Sequence, residues 1–461
     1  MENQLRSNSI SLPGLIFQGM GQLSPLFTFD GIISVAAFAA GASPLAFLIG
    51  LVASLLTGNT LYQFSKRTAS ARGYYGYSGY SLGKHAAFIT SYLYLIYQLA
   101  NLIFILSFFI MIFNPAILYL TGFNIPFYYG IILIVIISIP AFYTVYRGIV
   151  PSFKSQITIN VIEIIFVVVI SIIIIFTSKD NTIAVFTPIS GYKNLFLGFI
   201  TGSFLAYTGY GSVVSLGEEA RAPQKNIGLS IVAMLLIIGV LDLLISYSLV
   251  VGFGVNKMGS FTNTIIPAFM VIKTHVGTYA SIFFLAFNFF IIYTLFNTIG
   301  TAITRNIYSM ARDGFLPGAF MKLNKYDAPQ NALFLLLGIF ILVAIVSTVI
   351  FYASFSIGGF LDQFIFYATI STLSTLIIHM IVNTGLSRIY KNKLFDIVIP
   401  SISTIIILIA LYYAVSSLAF PFIYSVVIML LYIIIIASFS IIIGTKIKDI
   451  YGKDIIERNK Q

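Results

Sequence analysis

The chain has 461 residues, of which 59% are hydrophobic and 8% are charged, and its mean hydropathy is +1.00. This composition excludes a soluble protein with one core, because such a core cannot hide so much apolar surface. The absence of cysteine excludes disulfides and thiol catalysis, and the net charge of +11 does not lie on a soluble basic module of the kind that binds nucleic acid.

Apolar runs of about 20 residues, the length that crosses roughly 30 Å of hydrocarbon, recur from end to end of the chain. They predict a polytopic membrane protein with about twelve spans, and an even number places both termini on one side. The predicted spans are 10–40, 44–65, 86–113, 125–145, 153–177, 193–217, 227–254, 278–305, 331–352, 361–385, 395–418 and 421–444.

The basic residues predict the orientation of these spans. With a cytoplasmic N-terminus, 21 Lys and Arg residues fall on the cytoplasmic side and 4 on the outer side, which is the bias that membrane proteins show. We therefore predict cytoplasmic termini and a plasma-membrane location. The first ten residues lack a signal-peptide pattern, so the first span is expected to stay as an anchor.

The first span carries a predicted break in the segment LIFQGMGQLSPLFTFDG. Gly19, Gly21 and Gln22 weaken the helix, whereas Ser24 before Pro25 is a helix-start signal. A half-helix that begins there would point free N–H groups and its positive dipole end at the membrane centre, where a carboxylate would be stabilised. The alternative is a kink that only improves helix packing.

Spans three and five add polar groups. Span three places four polar side chains on one helix face, for pocket lining or for hydrogen bonds between helices: Tyr94, Tyr97, Gln98 and Asn101. Span five contains Glu163, and an acid inside the membrane is a functional-site hypothesis by default. We predict that Glu163 is the coupling carboxylate that takes up and releases a proton. The alternative is an acid near the cytoplasmic end of the span, satisfied by Asn160 and Lys154.

The sixth span is predicted to break as well. The segment Gly198 to Pro223, GFITGSFLAYTGYGSVVSLGEEARAP, carries Gly202, Gly209 and Gly211, more helix-weakening residues than a plain span contains. Lipid cannot satisfy the backbone groups that a break exposes, so a break persists only where protein or ligand covers them. Both breaks are therefore candidates for a binding site.

Later spans hold further polar groups. Asp242 in span seven, like Asp30 in span one, is an alternative proton site, although a structural hydrogen bond is its expected role. His379 in span ten is expected to be a packing histidine. Span eight carries side chains that either ligate a cation or a substrate amine or bond back to their own helix: Asn297, Thr298, Thr301 and Thr304. Spans eleven and twelve are expected to serve as scaffold or oligomer contacts.

Matching breaks in spans one and six predict two repeats of five spans. An odd number of spans inverts one repeat relative to the other, as in transporters that bind a substrate between two broken helices. The predicted division is 1–190 for the first repeat, 191–390 for the second, and 391–461 for the last two spans and the tail. It rests on the spacing of the breaks, since the halves share no obvious sequence identity.

Three stretches resemble the amino acid-polyamine-organocation (APC) superfamily of permeases, and the resemblance covers nearly all of spans one to ten. They are FLAYTGYGSVVSLGEEARAPQKNIG in span six, RNIYSMARDGFLP after span eight and SARGYYGYSGYSLGK before span three. The resemblance implies an all-α membrane protein with a LeuT-like fold, in which a 5+5 inverted repeat with broken helices 1 and 6 is followed by two extra helices. It also implies amino acid transport driven by protons or by exchange.

By this resemblance the two breaks bind the substrate. Its carboxylate would meet backbone amides of the first break, at Gly21, Gln22, Leu23, Ser24 and Leu26. Its ammonium would meet carbonyls of the second break, at Phe204, Leu205, Ala206 and Thr208. The usual aromatic gate position holds Leu205, so the predicted gate residues are the neighbours Phe204 and Tyr207.

The chain departs from the family at several positions. Pro25 replaces the usual glycine and removes one amide donor, and Gln63 replaces an acid often found late in helix two. Phe166 stands near the place of a lysine in some proton-coupled relatives, so the family gives Glu163 no support. The resemblance also implies that Glu218 and Glu219 are cytoplasmic latch residues that pair with basic loops, for example at Arg312.

The predicted function is secondary active transport of a neutral or weakly polar amino acid by proton symport or exchange, since neither break contains a charged side chain. The expected partners are the amino acid, the proton and the lipid bilayer, with no nucleic acid, cofactor, metal or catalytic residue. The chain is expected to be a monomer or a weak homodimer. Two alternatives stay open: a transporter of polyamines, organic cations or nucleobases on the same fold, and a non-transporting membrane sensor.

Overall fold

The structure is a computed structural model, and it describes residues 5–264, 266–355, 359–416 and 418–443. The first half of the chain forms seven α-helices. They are α1 (Leu12–Met20), α2 (Pro25–Ala39), α3 (Ser43–Ser65), the short α4 (Tyr74–Leu82), α5 (Lys84–Thr121), α6 (Phe127–Tyr146) and α7 (Ile149–Thr177). Span one is therefore divided into α1 and α2, as the sequence predicts.

The second half begins with the other divided span. It consists of α8 (Tyr192–Gly198), a π-helical turn (Phe199–Ser203), α9 (Phe204–Ala206) and a 3-10 segment (Tyr210–Leu216). The helices that follow are α10 (Pro223–Phe253), the short α11 (Pro267–His275), α12 (Thr278–Arg312), α13 (Gln330–Phe355), α14 (Gly359–Arg388), α15 (Ile399–Ser416) and α16 (Ile423–Ile443).

Each of the twelve predicted spans corresponds to helical structure in the described ranges. Nine segments there are long and apolar enough to cross a membrane, with Pro25–Ser65 counted as one of them. Pro25–Ser65 joins α2 of the first span to the second span, and the spans outside the count are the broken sixth span and α6, whose shorter apolar part is Ile136–Tyr146. The division at residues 190 and 390 stays a prediction. Residue 444 and the predicted cytoplasmic bases of the tail lie outside the described residues: Lys446, Lys448, Lys453, Arg458 and Lys460.

The broken sixth span packs closely against α2. A Cβ atom on Gly202 would lie 3.0 Å from the backbone of Val35, and one on Gly198 would lie 3.0 Å from the Val35 carbonyl oxygen. Gly198 and Gly202 therefore permit two backbones to approach, and they lie in helical turns instead of marking the break. The break lies at Gly209, whose φ of 125° favours glycine.

The helix α10 contacts both broken spans, because it packs on α1, on α2 and on the 3-10 segment after the second break. It also packs on α3 and α7. A side chain on the inward face of α10 can therefore reach both breaks.

Candidate functional site

The first helix break lies between Met20, where α1 ends, and Pro25, where α2 begins. Ser24 is the N-cap of α2, and its Oγ accepts a hydrogen bond of 3.4 Å from the Phe27 backbone N–H. Because Pro25 has no N–H group, Leu26 supplies the first backbone donor within α2. The predicted half-helix start is therefore confirmed.

The carboxylate of Glu163, within the protein itself, accepts a hydrogen bond from this donor. The Leu26 N–H donates to Glu163 Oε1 over 2.9 Å, and Ser24 Oγ donates to the same oxygen. The N–H groups of Gln22 and Leu23 donate to carbonyls at the end of α1, over 3.0 and 2.9 Å. A substrate carboxylate that binds at this helix end must therefore replace Glu163 or share donors with it.

Glu163 lies deep in the protein, with an exposure of 0%, and its Oε2 has no hydrogen-bond partner in the described part of the chain. The partners that the sequence offered as an alternative are engaged elsewhere. Asn160 Nδ2 donates to the Phe17 carbonyl over 2.8 Å, and Lys154 is exposed. Within the described ranges Glu163 makes no ion pair, and its hydrogen bonds there all go to the start of α2.

The second break spans Tyr207 to Gly209, between α9 and the 3-10 segment. The N–H and the Oγ1 of Thr208 both donate to the Leu205 carbonyl, over 3.0 and 2.7 Å. Leu205 and Thr208 are half-buried and Ala206 is exposed, so the protein does not fully enclose these residues. Of the four predicted ammonium-binding residues, Phe204 alone is buried, and the Leu205 carbonyl is already engaged by Thr208.

The predicted gate residues, Phe204 and Tyr207, are both buried, with exposures of 3% and 0%. The Phe204 ring packs against Phe199 at 6.2 Å between centroids. The Tyr207 hydroxyl donates to the Phe47 carbonyl over 3.4 Å. These contacts hold both side chains within the protein, and their gate role stays a prediction.

The two breaks touch each other. A Cβ atom on Gly209 would lie 3.0 Å from Gln22 Cγ and 3.4 Å from the Gln22 carbonyl oxygen. A larger residue at position 209 would also be strained by the positive φ. One glycine thus allows the first and second breaks to meet.

Amide and phenol groups on α5 lie along one side of the first break. Gln22 Nε2 donates to Gln98 Oε1 over 2.9 Å and to the Tyr97 hydroxyl over 3.4 Å. Gln98 Nε2 donates to the Tyr94 hydroxyl over 2.9 Å, and Asn101 Nδ2 donates to Gln98 Oε1 over 3.3 Å. The predicted polar face of span three therefore lies beside the break, and it also forms the interhelical hydrogen bonds of the alternative.

Asp242 on α10 connects the two breaks, which the sequence does not reveal. Its Oδ1 accepts a hydrogen bond of 2.8 Å from Thr28 Oγ1 in α2, and its carboxylate lies near the Tyr207 hydroxyl, which itself donates to the Phe47 carbonyl. Asp242 has an exposure of 1%, and Glu163 interacts with it electrostatically. The structural hydrogen bond predicted for Asp242 is present.

Asp30 and His379 lie away from these contacts. Asp30 faces a small, mostly apolar cavity that Asn288 also lines. His379 Nε2 lies 3.4 Å from the Tyr74 hydroxyl, and the His379 ring packs edge-on against the Tyr74 ring. The structure agrees with the packing role predicted for His379.

Polar side chains on α12 bind α1. Thr298 Oγ1 donates to the Gln18 carbonyl over 2.7 Å, and Gln18 Nε2 donates to Asn297 Oδ1 over 3.4 Å. Thr304 Oγ1 donates to the Gly300 carbonyl of its own helix over 2.8 Å, as the alternative for span eight predicts. Asn297 and Thr298 thus join α12 to α1, whereas Thr304 bonds within α12, and a ligand role is not required to explain these contacts.

Ion pairs tie the end of the sixth span to the end of α12. Arg312 donates to both oxygens of Glu218, over 2.7 and 3.1 Å, so the predicted pairing is present. Arg305 donates to both oxygens of the buried Glu219, over 2.9 and 3.0 Å, a partnership that the sequence does not identify. Burial acts to raise the pKa of Glu218, but hydrogen bonds from Arg312 outweigh it and hold the pKa below its usual 4.5.

A family model described as amino acid permease matches residues 14–450. The chain belongs to the amino acid permease family. Members of this family are permeases, not enzymes, and the resemblance to the APC superfamily is thereby confirmed. This permease is a multi-pass membrane protein.

Two similar proteins indicate how far the likeness extends. The branched-chain amino acid permease BcaP of Lactococcus lactis subsp. cremoris (strain MG1363) is 27% identical over 207 residues, which is 45% of this chain and 40% of BcaP. The match thus spans less than half of that relative's length. The crystal structure of MhsT in complex with L-phenylalanine has 14% identity and a TM-score of 0.64, over 89% of this chain and 100% of MhsT. At this identity the likeness shows the fold alone, and that fold is LeuT-like.

Proposed function

We propose that this permease is a secondary active transporter that carries a neutral amino acid across the plasma membrane and binds it between the two helix breaks. The contact of Gln22 with Gly209 is the observation that carries this proposal. A zwitterion bound between the amide end of α2 and the carbonyls of the second break would meet opposite partial charges at its two ends. The proposed binding residues are those predicted above: Gly21, Gln22, Leu23, Ser24, Leu26, Phe204, Leu205, Ala206 and Thr208.

The absence of a charged side chain from both breaks supports a neutral substrate. A charged amino acid side chain would need a partner of opposite sign, because an isolated ion is costly to bury. BcaP is named for branched-chain amino acids, and MhsT was solved with L-phenylalanine, so both names agree with a neutral substrate.

Glu163 supports coupling to protons. When ionised, it accepts strong charge-assisted hydrogen bonds from Ser24 and Leu26. A proton on Glu163 weakens these bonds and frees both donors for the carboxylate of an amino acid. Proton uptake and amino acid binding then favour each other, which is the requirement for symport.

Uptake into proteoliposomes tests the proposal. We expect radiolabelled leucine to accumulate when the outside is acidified, and a panel of twenty amino acids to show competition only by neutral ones. Accumulation that ignores the pH gradient and needs an amino acid on the opposite side would replace symport by exchange. The absence of both uptake and ligand binding would refute the transporter.

The substitution Glu163→Gln tests the coupling role. It keeps an oxygen acceptor for Ser24 and Leu26 but removes the titratable charge, so we expect uptake to lose its dependence on the pH gradient while counterflow continues. The measurement is the initial rate of leucine uptake as a function of external pH. An unchanged pH profile would remove Glu163 from the coupling mechanism.

Glu218→Gln is the matched control for this experiment. The pKa of Glu218 lies below 4.5, so this group remains ionised throughout the neutral range. An acid whose pKa is lowered by folding stabilises the protein above its unfolded pKa and loses that contribution only as the pH falls through the folded value. Glu218→Gln can change the rate of uptake, but it should not change the pH profile.

A further inference from the structure

A cleft of about 380 Å³ opens beside the first and sixth spans, on the predicted cytoplasmic face. Two arginines, Arg6 and Arg221, line it, and the described residues of its lining include no acid. The other lining residues are Ser7, Asn8, Ser9, Val150 and Phe153. The cleft therefore combines two cations, several small polar groups and an apolar wall.

Backbone hydrogen bonds bring the two arginines together. The N–H groups of Ser9 and Ile10 both donate to the Glu219 carbonyl, over 2.8 and 3.0 Å, and the Arg221 N–H donates to the Ile10 carbonyl over 2.8 Å. The segment before α1 is thus fixed against the segment after the sixth span. These backbone bonds make the cleft a regular part of the fold.

Neither arginine of the cleft has an acidic partner in the described part of the chain. Arg72, Arg305 and Arg312, on the same predicted face, each pair with a carboxylate. Arg221 instead donates from Nε to the Asn8 carbonyl over 3.0 Å, and Arg6 is exposed. Two guanidinium groups in one cleft repel each other, and an anion between them would remove that repulsion.

The apolar wall of the cleft leads to the surface of α7 that faces lipid. Val150, in the cleft, shares one helix face with Lys154, Val161 and Ile165, because these positions are spaced by about whole turns. Lys154 is exposed, and Val161 and Ile165 have exposures of 39% and 59%. This face therefore presents a cation near the cleft and then a stripe suited to acyl chains.

We propose that this cleft binds the phosphate of an anionic phospholipid, with Arg6 and Arg221 as the donors and the acyl chains along α7. The guanidinium group suits this ligand because it presents several N–H donors to a phosphate at once. A bound headgroup would bridge the segment before α1 and the segment after the sixth span. Anionic lipid would thereby stabilise the contact between the cytoplasmic ends of both broken spans.

Thermal unfolding of the delipidated full-length protein in detergent tests this proposal. The melting temperature is measured with phosphatidylglycerol, with phosphatidylcholine, and with inorganic phosphate at the same phosphate concentration. The test variant is Arg6→Gln/Arg221→Gln. The control variant is Lys391→Gln/Lys393→Gln, which removes two exposed cations outside the cleft.

Phosphatidylglycerol should raise the melting temperature of the wild type and of the control, whereas the test variant should lose at least half of that shift. The same shift in the test variant and the wild type would overturn the site, and an equal shift with inorganic phosphate would overturn the lipid as its ligand. If the double variant folds poorly, Arg6→Gln replaces it, because Arg6 is exposed and its side chain makes no hydrogen bond with the described residues. This test requires no transport, so its result is independent of the proposed substrate.

Discussion

At the scale of single residues, two acids from different helices hold the same half-helix. Glu163 of α7 binds the start of α2, and Asp242 of α10 binds Thr28 one turn further along. Neither acid makes an ion pair in the described ranges, so hydrogen bonds alone offset any charge on them. A change of charge on either acid therefore acts directly on the position of α2.

Asp242→Asn tests whether Asp242 links the two breaks. Asparagine keeps an oxygen acceptor for Thr28 but has no charge, so we expect a melting temperature close to that of the wild type. Its contact with the Tyr207 hydroxyl is weaker, and the second break should open more often. A cysteine at the exposed Ala206, introduced into a chain with no cysteine of its own, should then react several times faster with a membrane-impermeant thiol reagent.

Thr28→Val is the companion of this variant. It removes the hydrogen bond and leaves a buried carboxylate short of a donor, so it should lower the melting temperature more than Asp242→Asn does. If the cysteine at position 206 were labelled equally fast with Asp242 and with Asn at position 242, Asp242 would not restrain the second break.

At the scale of helices, the breaks were predictable because local chemistry creates them. Ser24 and Pro25 start a helix wherever they stand, and Gly209 permits a backbone conformation that other residues avoid. The partners of the breaks were not predictable, because contacts between helices depend on register and rotation. Three contacts between helices or segments could not be predicted for this reason: those of Glu163 with Leu26, of Asp242 with Thr28 and of Arg305 with Glu219. The sequence-based prediction was wrong to count Gly202 with Gly209, because Gly202 lies in a helical turn and packs on α2.

Gly202→Ala tests the distinction between glycines that pack and glycines that break. A Cβ atom there would lie 2.8 Å from Val35 Cγ2 and 3.0 Å from the Val35 backbone, so α2 and the sixth span must separate. We expect a lower melting temperature and slower transport. Gly338→Ala in α13 is the control, because nothing lies within 4 Å of its Cβ position. Alanine favours a helix over glycine by about 1 kcal/mol, so the control should be neutral or more stable, and equal effects of both variants would contradict this explanation.

At the scale of the whole molecule, ion pairs close the predicted cytoplasmic end. Arg305 and Glu219 are both about 1% exposed, whereas Arg312 and Glu218 keep exposures of 33% and 19%. An ion pair that is open to solvent contributes about 0–1 kcal/mol to the free energy of unfolding. Loss of one partner of a buried pair lowers that free energy by about 3–5 kcal/mol, because the remaining charge is buried without a partner. The buried pair therefore matters more to the integrity of this end than the exposed one.

Glu219→Gln should consequently lower the melting temperature much more than Glu218→Gln. The paired change Arg305→Met/Glu219→Leu removes both charges, and we expect it to recover most of the stability that Glu219→Gln loses. Thermal unfolding of the three variants in one detergent provides the comparison. If the paired change were as unstable as Glu219→Gln, packing instead of charge burial would explain the loss.

The predicted orientation of the molecule can be tested with the same cysteine-free background. Cysteines at Lys391 and at Lys257 lie on opposite sides of the predicted topology. In intact cells, a membrane-impermeant reagent should label Lys257→Cys and not Lys391→Cys, and inverted membrane vesicles should reverse this result. Labelling of both from one side would refute the cytoplasmic assignment of the termini.

The bond between Glu163 and Leu26 also bears on how an unloaded carrier resets. A bare helix end is partly positive, and leaving it at the membrane centre without a counter-charge would raise the energy of the empty carrier as it changes conformation. Glu163 supplies that counter-charge from within the protein, so the cycle can be completed without a second amino acid on the way back. Glu163 also competes with the substrate carboxylate for the same hydrogen-bond donors. Amines and amino acid amides have no carboxylate that could replace Glu163, so we expect that they are not transported.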